Sequence, residues 1–148
     1  MNKIPLSELS ALAEKTLTRL PVHLNRAALI ALTGELGAGK TTFVQALARA
    51  LGVTETVQSP TYVLMKSYPI SYKQFTTLVH IDAYRLEKPE EFSALKSDTF
   101  LNDPHNLVCI EWPERVTGKL PAPDLTIQFS ADGAEAGERY ISITNDPE

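Results

Sequence analysis

Cysteine is almost absent from this 148-residue chain. Cys109 stands alone, so no internal disulfide can form and nothing in the composition speaks for an oxidising compartment. Basic residues are also short: fourteen Lys and Arg against eighteen Asp and Glu give a formal charge of -4 and a pI near 5.4. That balance excludes an unaided grip on nucleic acid, which needs a clustered cationic excess to neutralise several phosphates. Any contact with RNA is therefore expected through a partner. Long apolar runs are missing as well, and none approaches the roughly 18 residues that span a bilayer. The opening Met1-Asn2-Lys3-Ile4-Pro5 has no extended apolar core, and the expectation is a soluble, cytoplasmic protein with no membrane partner. Repeats, linkers and low-complexity tracts are lacking. With 43% hydrophobic residues, the length suits a single domain over 1–148 around one buried core.

What is present alternates between strand and helix patterns. Leu6, Leu9, Leu12, Ala13, Leu17 and Leu20 recur at helical spacing, which predicts an amphipathic helix over Ser7 to Leu20 with Ser7 as N-cap and Pro21 closing it. Ala27 to Leu32 is a short continuous apolar run, as expected of a strand buried on both faces. A glycine-rich turn follows, and then Phe43, Val44, Ala46, Leu47, Ala50 and Leu51 mark one face of a helix from Lys40 that ends at Gly52. Further strands are predicted at Tyr62 to Tyr68, Thr77 to Ile81 and Asn106 to Ile110, with a short helix near Pro89 to Leu95. Asp124 to Phe129 and Arg139 to Ile143 alternate apolar and polar residues around a Gly133 to Gly137 loop, the pattern of an antiparallel hairpin.

Gly34-Glu35-Leu36-Gly37-Ala38-Gly39-Lys40-Thr41 matches G-x-x-x-x-G-K-[ST] between the buried strand and the helix. The pattern arises by chance in a chain of this length on the order of 1% of the time, at ordinary glycine usage. Each fixed position has a physical reason. Glycines allow the backbone to turn successive N–H groups toward one point, and the helix start adds its positive end. Lys40 supplies a point charge for the outer phosphates, and the Thr41 hydroxyl is an expected Mg²⁺ ligand. The motif thus predicts a phosphate-binding loop.

Such a loop needs an acid near Mg²⁺ and a residue that orients the attacking group. Asp82 closes Leu78-Val79-His80-Ile81, and Glu111 closes Leu107-Val108-Cys109-Ile110. Both acids stand at strand ends, where open parallel sheets bind ligands. The residues alone leave their roles interchangeable. Thr61, in Ser59-Pro60-Thr61-Tyr62, suits equally a switch-like loop that reaches Mg²⁺ or a terminal phosphate and a plain turn. His80 has no paired nucleophile and reads as a packed or hydrogen-bonded histidine, Cys109 as core filler, and Trp112 equally as a partner anchor or lid or as an amphipathic residue at the core edge.

Four segments together resemble one family: the glycine loop continued by Thr42-Phe43, Ser59-Pro60-Thr61-Tyr62, His80-Ile81-Asp82-Ala83-Tyr84-Arg85-Leu86, and Glu111-Trp112-Pro113. In order and spacing they look like TsaE, formerly YjeE, over about Leu9 to Ile143. The resemblance implies a small α/β P-loop NTPase domain, with a central, mostly parallel sheet flanked by helices and antiparallel C-terminal strands. It implies an Mg²⁺-dependent ATPase required for threonylcarbamoyladenosine in tRNAs reading codons that begin with A, acting on the TsaB and TsaD proteins. It would place Gly37, Ala38, Gly39, Lys40, Thr41, Thr42 and Trp112 around ATP, and Thr41 and Glu111 on Mg²⁺. Lys40, Asp82, Glu111 and Thr61 would serve hydrolysis. Three departures stand out. Glu35 replaces the family's usual Asp, Ala83 its usual Leu, and Phe92 to Ser97 lacks its usual glycine.

Other P-loop classes fit less well. A metabolite kinase usually carries an Arg-rich lid, whereas Arg85, Arg115 and Arg139 are scattered singly after the loop's helix. A GTPase would show Asn-Lys-x-Asp, which is missing. A nucleotide-gated binding module with negligible hydrolysis shares all the same residues.

Overall fold

Residues 2–35, 37–55 and 65–144 are described by a computed structural model. Seven strands form one sheet: β1 (Asn2–Pro5), β2 (Ala28–Thr33), β3 (Met65–Tyr72), β4 (Phe75–Asp82), β5 (Asn106–Glu111), β6 (Leu125–Ser130) and β7 (Glu138–Thr144). Their spatial order is β1-β7-β6-β2-β5-β4-β3. The four central strands run parallel, and antiparallel strands close both edges. The C-terminal hairpin is therefore present as expected. The antiparallel character extends further than expected, because β1 and β3 share it.

Side-chain alternation sorts the central strands onto two faces. Ala28, Ile30 and Leu32, together with Leu78, Leu107 and Cys109, pack beneath α1 (Leu9–Thr18) and α2 (Lys40–Ala50). Leu29, Ala31, Val79, Ile81, Val108 and Ile110 face the other way, toward the short helices α3 (Glu90–Ser93) and α4 (Ser97–Leu101). Burial on both faces explains why these strands read as continuous apolar runs. Each fully buried Leu, Ile or Phe contributes about 1.5–3 kcal/mol. Strand β6 differs, with Leu125, Ile127 and Phe129 in the core and intervening polar residues only partly covered.

Several predicted boundaries shift. Ser7 does not cap the first helix: Leu6–Glu8 form a 3-10 turn, α1 begins at Leu9, and Glu8 occupies the N-cap position without a side-chain hydrogen bond. The strand expected to end at Tyr68 continues to Tyr72 through an exposed Pro69, which an edge strand tolerates because one side of it needs no ladder donors. Its predicted beginning, Tyr62 to Leu64, lies outside the described residues. Among the described residues, no helix is long and apolar enough to cross a membrane.

At the N-terminal ends of the parallel strands, Asp124 acts as a tether. Its carboxylate accepts from the Leu29 N–H at 2.8 Å and from Arg26 Nη2 at 3.2 Å, and it lies 2.8 Å from His23 Nε2. The loop before β2 is thereby pinned to the start of β6.

Candidate functional site

The opposite ends of the same strands carry the chemistry. The loop after β2 reverses over the sheet edge and feeds α2. Two of its glycines are required by geometry. A side chain at Gly34 (φ 139°) would overlap the Phe129 carbonyl oxygen, and Gly39 (φ 107°) starts α2 from the left-handed region. Phe43, one turn into α2, packs edge-on against Phe129 of β6 at 5.8 Å between ring centres, which sets the helix over the sheet.

Strand alternation then decides which way the two acids point. Asp82 shares parity with Leu78 and His80, and Glu111 with Leu107 and Cys109, so both belong to the face covered by α2. They are direct register partners across β4 and β5. Glu111 is buried, and its Oε2 accepts from the Thr41 hydroxyl at 2.8 Å and lies 2.6 Å from His80 Nε2. Thr41 also reaches Oε1 at 3.0 Å. Asp82 accepts from the Tyr84 N–H at 3.0 Å, which turns the chain away from the strand.

Lys40 is 4% exposed. Its ammonium donates to the carbonyl oxygens of Gly34 at 2.5 Å and Glu35 at 2.9 Å, and it lies 4.4 Å from the centre of the Trp112 ring. Burial lowers the Lys40 pKa from its ordinary value, opposed by the charges of Glu111, Glu35, Asp82 and Glu114. Trp112 adopts φ 61°, sparsely populated for a bulky residue, and its ring also meets Tyr84 at 4.9 Å. The Tyr84 ring in turn carries the Arg115 guanidinium at 5.2 Å. Burial pushes the Cys109 thiol well above its usual range, and Glu111 adds to the effect. The residue is an inert core group, not a nucleophile.

A cleft lies along this edge, lined by Leu6, Gly37, Gly39, Lys40, Thr41, Thr42, Asp82, Glu111 and Arg139. As bounded by the described residues its volume is about 240 Å³, below the roughly 300–1,000 Å³ of pockets that enclose a drug-sized ligand. Hydroxyl and carboxylate oxygens side by side on its wall match Mg²⁺, a hard cation that takes a few protein oxygens and completes its shell with phosphate and water. Among the described residues, no group of three or more His, Cys, Asp or Glu is placed to hold a metal ion.

The structure thus brings Gly37, Gly39, Lys40, Thr41, Thr42, Asp82 and Glu111 together. Ala38 is fully buried. Trp112 packs on Lys40 and does not line the cleft, and Thr61 falls outside the described residues. Arg139 was not singled out as a site residue. It arrives from β7, with Nη2 3.5 Å from the Gly37 carbonyl oxygen. Leu6 arrives through β1, which pairs with β7. No local motif marks either residue, because sheet topology alone places them.

A family described as threonylcarbamoyl adenosine biosynthesis protein TsaE matches residues 6–141, a span that contains the whole of this site. The chain belongs to the TsaE family. Its relatives include the tRNA threonylcarbamoyladenosine biosynthesis protein TsaE of Haemophilus influenzae, 36% identical over 85% of this chain and 77% of that protein. The Streptomyces coelicolor TsaE is 38% identical over 85% of both chains. Among solved structures, that of Bacillus subtilis YdiB superposes with a TM-score of 0.65 at 28% identity, covering 97% of this chain and 84% of that one. As a TsaE family member, the chain is assigned to tRNA modification.

Proposed function

We propose that this chain is a Mg²⁺-dependent ATP hydrolase that acts on the TsaB–TsaD complex during threonylcarbamoyladenosine synthesis. All 148 residues would serve as one P-loop domain working in the cytoplasm. The observation that carries the reading is the Thr41–Glu111 hydrogen bond beside a buried Lys40, since it joins the loop, the helix start and a strand-end acid into one cation-binding wall.

In this reading the loop N–H groups and Lys40 hold the outer phosphates, and Thr41 and Glu111 hold the cation. Bound Mg²⁺ would neutralise charge on the terminal phosphates. Asp82, on the neighbouring strand end, orients the attacking water, and Thr61, outside the described residues, is assigned the switch role that the family resemblance implies. Arg139 reaches the loop from the C-terminal hairpin and adds positive charge to the cleft lining. An acidic protein with scattered arginines is suited to reach tRNA through protein partners and not alone.

ATP turnover by the purified chain, alone and with TsaB and TsaD, with GTP as control, tests the reading. Hydrolysis of ATP that depends on the pair is expected. Turnover indifferent to the pair, or a preference for GTP, would overturn it.

A further inference from the structure

We propose that His80 is a positioning residue, whose Nε2–H fixes the Glu111 carboxylate in the orientation that receives a divalent cation beside Thr41. The inference rests on the reading of Glu111 as a cation ligand.

Three observations carry it. His80 is fully buried, and its Nε2 sits 2.6 Å from the same Glu111 oxygen that Thr41 approaches. A contact between imidazole and carboxylate needs a donor, which assigns the proton to Nε2. The other ring nitrogen, Nδ1, is buried with no hydrogen-bond partner among the described residues. Buried polar groups kept for packing are generally satisfied, whereas among the described residues this ring's polar contact is with Glu111.

The third observation is the division of labour around Glu111. Its described side-chain partners are Thr41 and His80. A cation shared by Thr41 and Glu111 would draw on the hydroxyl's lone pairs and leave its hydrogen on the carboxylate. His80, on β4 and outside the cleft lining, gives the same carboxylate a second contact that an entering cation does not compete for. A buried carboxylate without a fixed donor would lose that orientation and bear an uncompensated desolvation cost.

The test is equilibrium binding of a non-hydrolysable ATP analogue, titrated with Mg²⁺ and repeated in EDTA. Wild type is compared with His80→Leu, His80→Asn, His80→Gln and Glu111→Ala, with thermal unfolding as a check of folding and the buried Val79→Ala as a packing control. His80→Leu is expected to raise the Mg²⁺ concentration required by about 10–100-fold, the usual consequence of losing a group that orients a metal ligand. Affinity in EDTA should stay at the wild-type value. Gln places an amide nitrogen near the position of Nε2 and should restore much of the response, whereas the shorter Asn should behave like Leu. Should the Leu variant fail to fold, the Gln and Asn pair still decides the matter. A wild-type Mg²⁺ requirement in His80→Leu, or equal losses in Gln and Asn, would overturn the inference. A Glu111→Ala protein with an unchanged Mg²⁺ requirement would instead overturn the reading of Glu111 itself.

Discussion

Two buried carboxylates, at opposite ends of the same parallel strands, each lie beside a histidine, yet they are built for different work. Asp124 faces a backbone N–H, a guanidinium and an imidazole, partners that bring a fixed donor and a positive charge. Glu111 faces a hydroxyl and an imidazole, and the hydroxyl belongs to the wall of an open cleft. The first acid is already neutralised by the fold and serves to close a loop onto the sheet. The second has a partner on the cleft wall, and in the proposed reading it accepts a cation there. Burial is alike in the two cases. The chemistry of the partners separates tether from site.

That contrast can be broken by substitution at either end. The largest effect is expected at the open end: Lys40→Ala should weaken ATP binding by about 100-fold or more, since several charge-assisted hydrogen bonds of roughly 1.5–3 kcal/mol each are lost. Calorimetric titration checks this. At the closed end, Asp124→Ala should leave nucleotide affinity unchanged but cost about 2–3 kcal/mol of stability, because it strands the Leu29 N–H and the Arg26 guanidinium. A fall in Tm of about 5–10 °C is the readout. Altered nucleotide affinity without loss of stability in that variant would erase the distinction between the two ends.

A third, smaller effect sharpens the comparison with an acid that is neither buried nor central. Glu35 is exposed and accepts from the Ala131 N–H at 2.8 Å. This bond is the leading cause that lowers its pKa below the ordinary 4.5. Because the folded value is depressed, its charge stabilises the fold fully above the ordinary value, and the contribution disappears as pH falls through the lower folded value. Glu35→Gln should lower Tm by about 1 °C at neutral pH, as for an exposed charge. The two proteins should melt together at acidic pH, below the folded value. A difference that persists there would contradict the assignment.

Much of the open end was legible before any coordinates. Apolar runs ending in Asp82 and Glu111 identify buried parallel strands with acids at their tips. G-x-x-x-x-G-K-[ST] marks the loop between β2 and α2, whereas the face that the two acids share emerged only with the strand register. What escaped has physical causes. Strand β1 has one aliphatic residue in four and is held by pairing with β7, which leaves no periodic pattern to read. Helix α4, five residues long, is shorter than two turns and shows no helical period. Arg139 and Leu6 reach the cleft through sheet order, a long-range property that no window of sequence contains. For His80, the bland reading as a hydrogen-bonded core histidine describes what is seen, but only the structure identifies its partner as Glu111.

The most direct test of the central claim, that the Thr41–Glu111 wall serves Mg²⁺-dependent ATP hydrolysis, is the steady-state turnover of Glu111→Ala beside wild type. Both are measured with TsaB and TsaD at saturating ATP and Mg²⁺. The account predicts that turnover falls by at least about 100-fold, the scale of losing a group that stabilises transition-state charge, while much of the nucleotide binding survives. Equal turnover by the two proteins would remove Glu111 from the mechanism and contradict the account.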